Sequence, residues 1–422
     1  MPAHNHRRAA KAHQPTSRRE FLKSSAALAG AVPVLASSSQ EPASATKGPI
    51  LAYAGTYSNP LGPEGSPGRG EGIYLLEMNP ATGALKVRDL FRNDQNPSWV
   101  ALDASRTHLY SVNETGTYMG ANSGSVSSYS IDRASGRLTL LNTVSSEGAG
   151  TCHLSVHPSG KYVLVANYDG GTFAVLPVRS DGSLGAASDV KHQVGLPGPQ
   201  NASSGPRGNF AISGHDAPHA HMIDAEPSGR FVIGADLGTD RLMIWKLDLE
   251  KGTLIPNDPA SVALPPGDGP RHFVFHPKGR WMYSLQEEAS TLVGFDFDAQ
   301  AGKLTAQQTL SSLPEGFAGT NFTSEVRVSS DGRFVYAANH LHDSIAIFSV
   351  AETGKLAYVG AEWTRGDYPR SITLDPTGNF LYSCNQRADA ITVFRIERKT
   401  GKLTFTGEYV AVGTPAILVF LT

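Results

Sequence analysis

The chain is poor in cysteine, in charge and in long apolar runs, and each shortage excludes a class of protein. Its two cysteines, Cys152 and Cys384, lie far apart and outside any CxxC motif, which excludes a disulfide framework and favours two buried thiols that pack as small hydrophobic groups. Charged residues make up 18% of the chain and the net charge is −2, so nothing favours a nucleic-acid partner or an anionic membrane surface. The apolar run at residues 26–36 is interrupted by Pro33 and is too short to span a bilayer.

Several catalytic motifs are also missing. The sequence contains no GxSxG elbow, no phosphate-binding P-loop and no HExxH zinc motif, which argues against a serine hydrolase of the usual kind. What the chain does have is turn chemistry, with 44 glycines and 27 prolines among 422 residues. A hydrophobic content of 40% predicts a packed core, and the many turns predict short strands rather than long helices.

The N-terminus has the features of an export signal. Residues 17–23 read SRREFLK, the weakly apolar run AALAGAVPVLA follows at 26–36, and Ala43-Ser44-Ala45 offers a small-residue cleavage site. This order resembles a bacterial twin-arginine signal peptide, and a chance basic patch is the alternative. We expect residues 1–45 to be the signal, the export machinery to be a partner, and the mature protein to be periplasmic or secreted.

The rest of the chain is a repeat. Each unit has an alternating apolar run, a turn near x-P-x-G-x, and a second apolar run that ends in polar residues. A third strand and a short edge strand follow. Six complete units are visible, with their first two strands at residues 96–114, 150–168, 218–237, 269–287, 323–340 and 368–386. Four short strands per unit at this spacing are typical of β-propeller blades.

A seventh unit can be assembled from the two ends of the mature chain. Residues 50–57, 72–79 and 82–87 supply three strands, and residues 415–422 supply the innermost one. The pattern therefore predicts an all-β fold, a seven-bladed propeller with four antiparallel strands per blade, in which both termini close one blade and leave no open edge. A pair of β-sandwiches would not require the period. We expect one domain over residues 46–422, with residues 192–217 as a long surface loop.

Polar residues recur at two positions of the repeat. In a propeller the first strand of each blade lines the central channel and the second strand returns beside it, so the start of one and the end of the other meet near the axis. The first position holds Ser98, Cys152, His221, Arg271, Ser324 and Arg370. The second holds Glu114, Tyr168, Leu237, Glu287, His340 and Gln386, each preceded by Asn113, Asn167, Asp236, Gln286, Asn339 or Asn385.

Arg271 and Glu287 should meet within one blade, while His221 and Arg370 approach from others. Arginine offers a fixed fork for a carboxylate or a polarised carbonyl, and glutamate and histidine are the usual proton carriers. A purely structural ion pair is the alternative. Glu288, one residue further, is expected to be a solvated loop charge.

A histidine-rich segment offers a second candidate site. In HDAPHAH, residues 215–221, His219 and His221 alternate on one strand face with His215 and Asp216 nearby, a spacing that could hold zinc or copper. Hydrogen bonding behind the site, or a solvated loop, explains the same residues without a metal, and we expect no metal and no cofactor. The pairs His157-Pro158 and His276-Pro277 fall on the turns at the opposite rim and are expected to be structural.

These register residues also carry a family resemblance. The stretches PHAHMI, GPRHFVFHPKGRWMYSLQE, NHLHDSIAIF and YPRSITLDPTGNFLYSCNQ resemble the seven-bladed propeller lactonase family over nearly all of the mature chain. That family includes the propeller type of 6-phosphogluconolactonase and the fungal carboxymuconate-cyclising enzyme. The resemblance implies a channel site in which the family histidine, arginine and glutamate correspond to His221, Arg271 and Glu287. Where the family has a second arginine this chain has His340, which removes a permanent cation.

Hydrolysis of a lactone is the leading expectation. Arg271 would polarise the carbonyl or hold a substrate carboxylate, and Glu287 or neutral His221 would activate water. We expect the substrate-binding residues to be His219, Asp236, Glu325, Asn339, His340, Arg370 and Asn385. Because a phosphorylated sugar lactone is a cytosolic metabolite, an exported monomer acting on a sugar-acid lactone fits better. A binding propeller without chemistry, a lactone-forming cyclase and a metal-dependent enzyme remain the alternatives.

Overall fold

A computed structural model describes residues 50–60, 62, 67–210 and 214–422, and the expected signal peptide at 1–45 lies outside these residues. All strands of the described chain fall into seven four-stranded antiparallel sheets, which are the seven blades. No helix in the described part of the chain is long and apolar enough to cross a membrane. The predicted all-β, seven-bladed propeller is therefore confirmed.

The first four blades, each written from the channel outward, combine the two chain ends with the N-terminal half. The first contains β28 (Pro415–Leu421), β1 (Ile50–Thr56), β2 (Gly72–Met78) and β3 (Leu85–Arg92). The second contains β4 (Val100–Leu102), β5 (His108–Asn113), β6 (Ser125–Ile131) and β7 (Leu138–Ser145). The third contains β8 (Thr151–Val156), β9 (Tyr162–Asn167), β10 (Thr172–Pro177) and β11 (Asp189–His192). The fourth contains β12 (Ala220–Ala225), β13 (Phe231–Asp236), β14 (Arg241–Asp248) and β15 (Thr253–Ala263).

The last three blades follow the same order without interruption. The fifth contains β16 (Pro270–Phe275), β17 (Trp281–Gln286), β18 (Thr291–Asp298) and β19 (Lys303–Ser311). The sixth contains β20 (Thr323–Val328), β21 (Phe334–Asn339), β22 (Ser344–Val350) and β23 (Leu356–Trp363). The seventh contains β24 (Pro369–Leu374), β25 (Phe380–Asn385), β26 (Ala390–Ile396) and β27 (Leu403–Ala411).

The seven inner strands form a closed ring around a central channel. Each contacts the inner strand of the next blade, and β28 contacts both β24 and β4, so the last strand of the chain closes the circle. Middle strands such as β13 and β25 are buried throughout, because both faces of each sheet pack against neighbouring blades. The outermost strands alternate between buried and exposed residues, as expected for strands that face solvent on one side.

Hydrogen bonds repeated around the ring tie each blade to the next. The hydroxyls of five buried tyrosines donate to the carbonyl of a turn glycine in the following blade, as Tyr283 does to Gly354 at 2.9 Å. The other four are Tyr53, Tyr110, Tyr336 and Tyr382. Gly354 has φ of +80°, and a Cβ there would lie 2.4 Å from the Trp281 ring, so the turn requires glycine.

The histidines of the two His-Pro turns make the same type of contact between blades. Nε2 of His157 donates to the Gly229 carbonyl at 2.7 Å, and Nε2 of His276 donates to the Gly332 carbonyl at 2.9 Å. Both rings are buried. The structural role expected for these histidines is the one seen.

The long connection between β11 and β12 lies across the rims of neighbouring blades. It hydrogen-bonds to the fourth blade through Gly198 and forms an isolated bridge at Arg207 with Ala318. Its residue His215 lies 3.8 Å through Nδ1 from Oε1 of Glu288. Glu288 is therefore buried, with 0% exposure, and the expectation of a solvated charge was wrong because the sequence does not show which rim the loop covers.

Candidate active site

One end of the central channel opens into a polar cavity of about 590 Å³. Its wall receives side chains from successive blades, mostly from the start of an inner strand or the end of the second strand. The polar and charged residues on the wall include Asn96, Glu114, Cys152, Tyr168, Asp169, His221, Arg271, Glu287, His340 and Arg370. A cavity of this size, with convergent polar groups, suits a small polar molecule.

The fifth blade brings an arginine and a glutamate together on the wall. Nε of Arg271 lies 2.7 Å from Oε2 of Glu287, and the two side chains are 3% and 13% exposed. Nη1 of Arg271 donates to the carbonyl oxygen of Ser324 at 2.5 Å. Among the described residues, none forms a hydrogen bond with Nη2 of Arg271, so this group remains available to a molecule in the cavity.

Backbone bulges direct the inner-strand residues into the cavity. In β16, Pro270 pairs with Gln286 and His272 pairs with Leu285, so Arg271 is an extra residue without a partner in the ladder. The same one-residue bulge occurs at Cys152, His221 and Arg370 in β8, β12 and β24. A bulge bends the strand and redirects the extra side chain, which explains why four blades present a side chain at the same height.

The two histidines on the wall are held neutral. Burial, followed by the charge of Arg271, keeps the pKa of His221 well below its usual value. Burial, then Arg271 and Arg370, does the same to the pKa of His340, whose ring stacks on Tyr368 with centroids 4.0 Å apart. Nδ1 of each ring is buried and makes no hydrogen bond within the described chain. Both imidazoles can therefore accept or donate a hydrogen bond, but neither carries a charge near neutral pH.

A second glutamate, Glu114, lies in a cluster of polar residues where the seventh, first and second blades meet. Oε2 of Glu114 accepts hydrogen bonds from the hydroxyls of Ser98 at 2.5 Å and Tyr57 at 2.9 Å. The guanidinium of Arg370 lies over the Tyr57 ring, 5.2 Å from its centroid. Burial raises the pKa of the Glu114 carboxyl, and the positive charge of Arg370 opposes that rise. The sequence does not predict a functional role for this cluster, although Glu114 holds the same position of the repeat as Glu287.

Five of the seven residues expected to bind substrate do not line the cavity. Asp236, Asn339 and Asn385 are fully buried inside their blades, where Asn339 accepts from Ser312 and Asn321, and Asn385 donates to Thr392. Successive residues of a strand point to opposite faces, so only the residue after each of them can reach the channel.

His219 is the fourth residue that stays off the wall. Its Nε2 pairs with Asp216 at 2.9 Å and its Nδ1 donates to the Tyr168 carbonyl at 3.0 Å. Its ring stacks on the Tyr168 ring with centroids 4.2 Å apart. Because Tyr168 does line the cavity, His219 supports the wall from behind.

Glu325 also departs from the expectation, because it lies toward the opposite mouth of the channel. A second cavity of about 530 Å³ opens there, lined by residues that include Trp99, His153, Asp224, Glu325 and Arg327. Oε2 of Glu325 lies 3.3 Å from Nδ1 of His272 and 3.4 Å from Nη2 of Arg327. The β20 bulge lies between Thr323 and Val326, so Ser324 and Glu325 together face one residue of β21.

The histidine-rich segment does not assemble a metal site in the structure. His215 pairs with Asp240 through Nε2 at 3.1 Å, His219 pairs with Asp216, and His221 alone reaches the cavity wall. Within residues 50–60, 62, 67–210 and 214–422, no three His, Cys, Asp or Glu side chains are arranged to hold a metal ion. The zinc or copper alternative finds no support in this segment.

Comparison with known proteins identifies the family. The family described as "Lactonase, 7-bladed beta-propeller" matches residues 51–420, which is nearly the whole propeller. The chain belongs to this lactonase family. The resemblance inferred from the blade motifs is thereby confirmed.

The alignments with similar proteins span almost the full length of those proteins. A Bacillus subtilis protein named 6-phosphogluconolactonase is 35% identical over 373 residues, which span 88% of this chain and 98% of that protein. A Serratia proteamaculans protein of the same name is 30% identical over 339 residues, or 80% of this chain and 92% of that protein. The solved structure of the Pseudomonas aeruginosa periplasmic gluconolactonase PpgL is 30% identical, with a TM-score of 0.78 and coverage of 89% and 99% of the two chains.

Proposed function

We propose that this protein hydrolyses the lactone of an unphosphorylated sugar acid outside the cytoplasm. The observation that carries the proposal is the Arg271–Glu287 pair, joined at 2.7 Å on the wall of a cavity large enough for one sugar. Membership of the lactonase family supports lactone hydrolysis in general. The relatives' names include both a phosphorylated and an unphosphorylated gluconolactone, so the choice between them depends on the cavity.

The charges on the wall favour an uncharged substrate. The described lining residues include two arginines, Arg271 and Arg370, and the two carboxylates Asp169 and Glu287 balance their charge, with the acidic residue Glu114 on the same wall. The two wall histidines are neutral and add no positive charge. Recognition of a phosphate group usually requires an excess of cationic donors, and this wall does not provide one.

The pair has the geometry needed for addition of water to a carbonyl carbon. Nη2 of Arg271 would donate to the lactone carbonyl oxygen and stabilise the negative charge that develops there. The Glu287 carboxylate would accept a proton from the attacking water, which makes it the general base. Neutral His221, whose Nδ1 has no partner among the described residues, would hydrogen-bond to the substrate or to the water.

A pair of substrates and one variant test this assignment. Purified protein is offered D-glucono-1,5-lactone and its 6-phosphate, and ring opening is followed above the buffer rate. We expect a higher kcat/KM for the unphosphorylated lactone, and a loss of about 10²- to 10⁴-fold for Glu287→Gln, whose cooperative thermal unfolding shows that the variant is folded. A protein that opens neither lactone contradicts the proposed function, a higher kcat/KM for the 6-phosphate contradicts the proposed substrate, and a fully active variant contradicts the role of Glu287.

Export is the remaining part of the proposal. It is supported by the twin arginines Arg18 and Arg19 and by the similar Pseudomonas aeruginosa protein, whose name places that protein in the periplasm. Replacing both arginines by lysine should leave the protein in the cytoplasmic fraction, because the export machinery recognises the arginine pair. Equal export of the parent and the variant would contradict this route.

A further inference from the structure

The cavity contains a second carboxylic acid on the wall opposite Glu287. Glu114 follows β5 in the second blade, and Glu287 follows β17 in the fifth, at the same position of the repeat. These blades are three apart in a ring of seven, which is the largest separation that the ring allows. Both side chains line the same cavity, so a bound molecule would lie between them.

The two carboxyls have different immediate partners, although the charge of Arg370 also acts on Glu114. Glu287 contacts a guanidinium at 2.7 Å, which favours its ionised form. Glu114 instead receives two neutral hydroxyls, both on Oε2, and burial raises the pKa of its carboxyl. No described residue makes a hydrogen bond to Oε1 of Glu114, which leaves that oxygen able to carry a proton toward the cavity. Acid–base catalysis uses pairs of carboxyls whose surroundings differ in this way.

Lactone hydrolysis needs a proton donor as well as a base. When the tetrahedral intermediate collapses, the bond between the carbonyl carbon and the ring oxygen breaks, and an unprotonated ring oxygen would leave as an alkoxide. We propose that Glu114 is a second catalytic residue, whose carboxylic acid protonates the ring oxygen as it leaves. This inference rests on the proposed lactone hydrolysis and adds a role to the site.

The proposed step is balanced in atoms and charge. Water forms the new carbon–oxygen bond and gives one proton to Glu287. The ring carbon–oxygen bond breaks, its electron pair stays on the ring oxygen, and that oxygen takes the proton of Glu114. The product is the open hydroxy acid, and solvent returns a proton from Glu287 to Glu114 for the next turnover. No oxidant, metal or cofactor is required for this balance.

The leaving group provides a test that a structural role cannot imitate. In 5-thio-D-glucono-1,5-lactone, sulfur replaces the ring oxygen, and a thiolate leaves without the help of an acid because a thiol is far more acidic than an alcohol. For Glu114→Gln we expect kcat to fall about 100-fold on the oxygen lactone and less than about 3-fold on the thiolactone. Asp169→Asn, at an exposed carboxylate on the same wall, should change both rates by the same factor.

The outcomes separate this inference from the proposed function. Equal losses on both lactones, or no loss on either, overturn the role of Glu114 while wild-type turnover keeps the proposed function intact. A wild-type protein that opens neither lactone overturns both. If Glu114→Gln does not fold, Glu114→Asp keeps an acid in place, and it should be slower on the oxygen lactone but not on the thiolactone. The thermal midpoint of each variant shows whether it is folded.

Discussion

The two mouths of the channel contain the same kinds of residue and differ in whether a histidine keeps a buried nitrogen without a hydrogen bond among the described residues. At the cavity mouth, Arg271 and Glu287 pair with each other and both face open volume. At the opposite mouth, one carboxylate oxygen of Glu325 accepts hydrogen bonds from Nδ1 of His272 and Nη2 of Arg327, and the other accepts one from the Val326 amide. Glu325 is 2% exposed, so that network is complete in itself. Both mouths have a cavity, but only at the Arg271 end do both Nη2 of the arginine and a buried histidine nitrogen, Nδ1 of His221, make no hydrogen bond within the described residues.

The two mouths are nevertheless connected through adjacent residues of one strand. Nη1 of Arg271 lies 3.4 Å from Nε2 of His272, and Nδ1 of His272 lies 3.3 Å from Glu325. Arginine can only donate, so Nε2 accepts and the imidazole carries its proton on Nδ1. Burial, partly opposed by Glu325, lowers the pKa of His272 to about 4, which agrees with a neutral ring. His272, itself held by Glu325 at the opposite mouth, thus positions Arg271 from behind the cavity wall.

The largest expected difference between the mouths comes from the same substitution at each. Arg271→Lys keeps the charge but removes the fork that contacts Glu287, Ser324 and the substrate at once, so kcat/KM should fall about 10²- to 10³-fold. Arg327→Lys at the opposite mouth should change kcat/KM by less than about 3-fold, because its donors serve Glu325 and the Ile372 carbonyl. Steady-state kinetics on the lactone checks both, and equal losses would contradict the comparison.

A smaller effect should reveal the connection between the mouths. His272→Phe removes the acceptor for Nη1 of Arg271, and loss of one hydrogen bond that positions a catalytic group should lower kcat about tenfold with little change in KM. His153→Phe is the matched control, because both rings pack against Trp99 and only His272 contacts Arg271. If the two variants lose the same activity, the loss reflects packing and His272 has no positioning role.

The smallest effect concerns stability at the opposite mouth. Burial raises the pKa of Asp224 from 3.8 to about 6, so the Asp224 carboxyl binds its proton more tightly in the folded state than in the unfolded state. The ionised side chain therefore costs stability above pH 6, and the cost disappears as the pH falls toward 3.8. Asp224→Asn should raise the thermal midpoint by about 1–3 °C at neutral pH and leave it unchanged in acid. Asp169→Asn, at an exposed carboxylate on the cavity mouth, should change neither value.

The fold could be predicted from the sequence because it is a property of the repeat. Each blade needs only alternating apolar residues and a glycine turn, and the same requirement recurs seven times, so local patterns determine the number of blades and the closing role of residues 415–422. The approach of Arg271 and Glu287 follows from the same geometry, since a hairpin places the start of one strand beside the end of the next. Glu114 and Tyr168 were present in that register, but nothing in the sequence separated them from Leu237 or Gln386.

Which polar residues face the cavity was decided by the tertiary structure. The alternation of a strand shows that neighbours such as Asn339 and His340 point apart, but it does not show which of them faces the axis. A bulge adds one residue without changing the apolar pattern. The orientation of His221, Arg271 and Arg370 toward the cavity therefore depends on strand pairing that the sequence does not show. Burial of Glu288 depends on a loop from another blade. The sequence by itself determined the ring and its chemistry-bearing positions; only the packing of seven blades decided which side chains share one cavity, because that requires contacts between residues far apart in the chain.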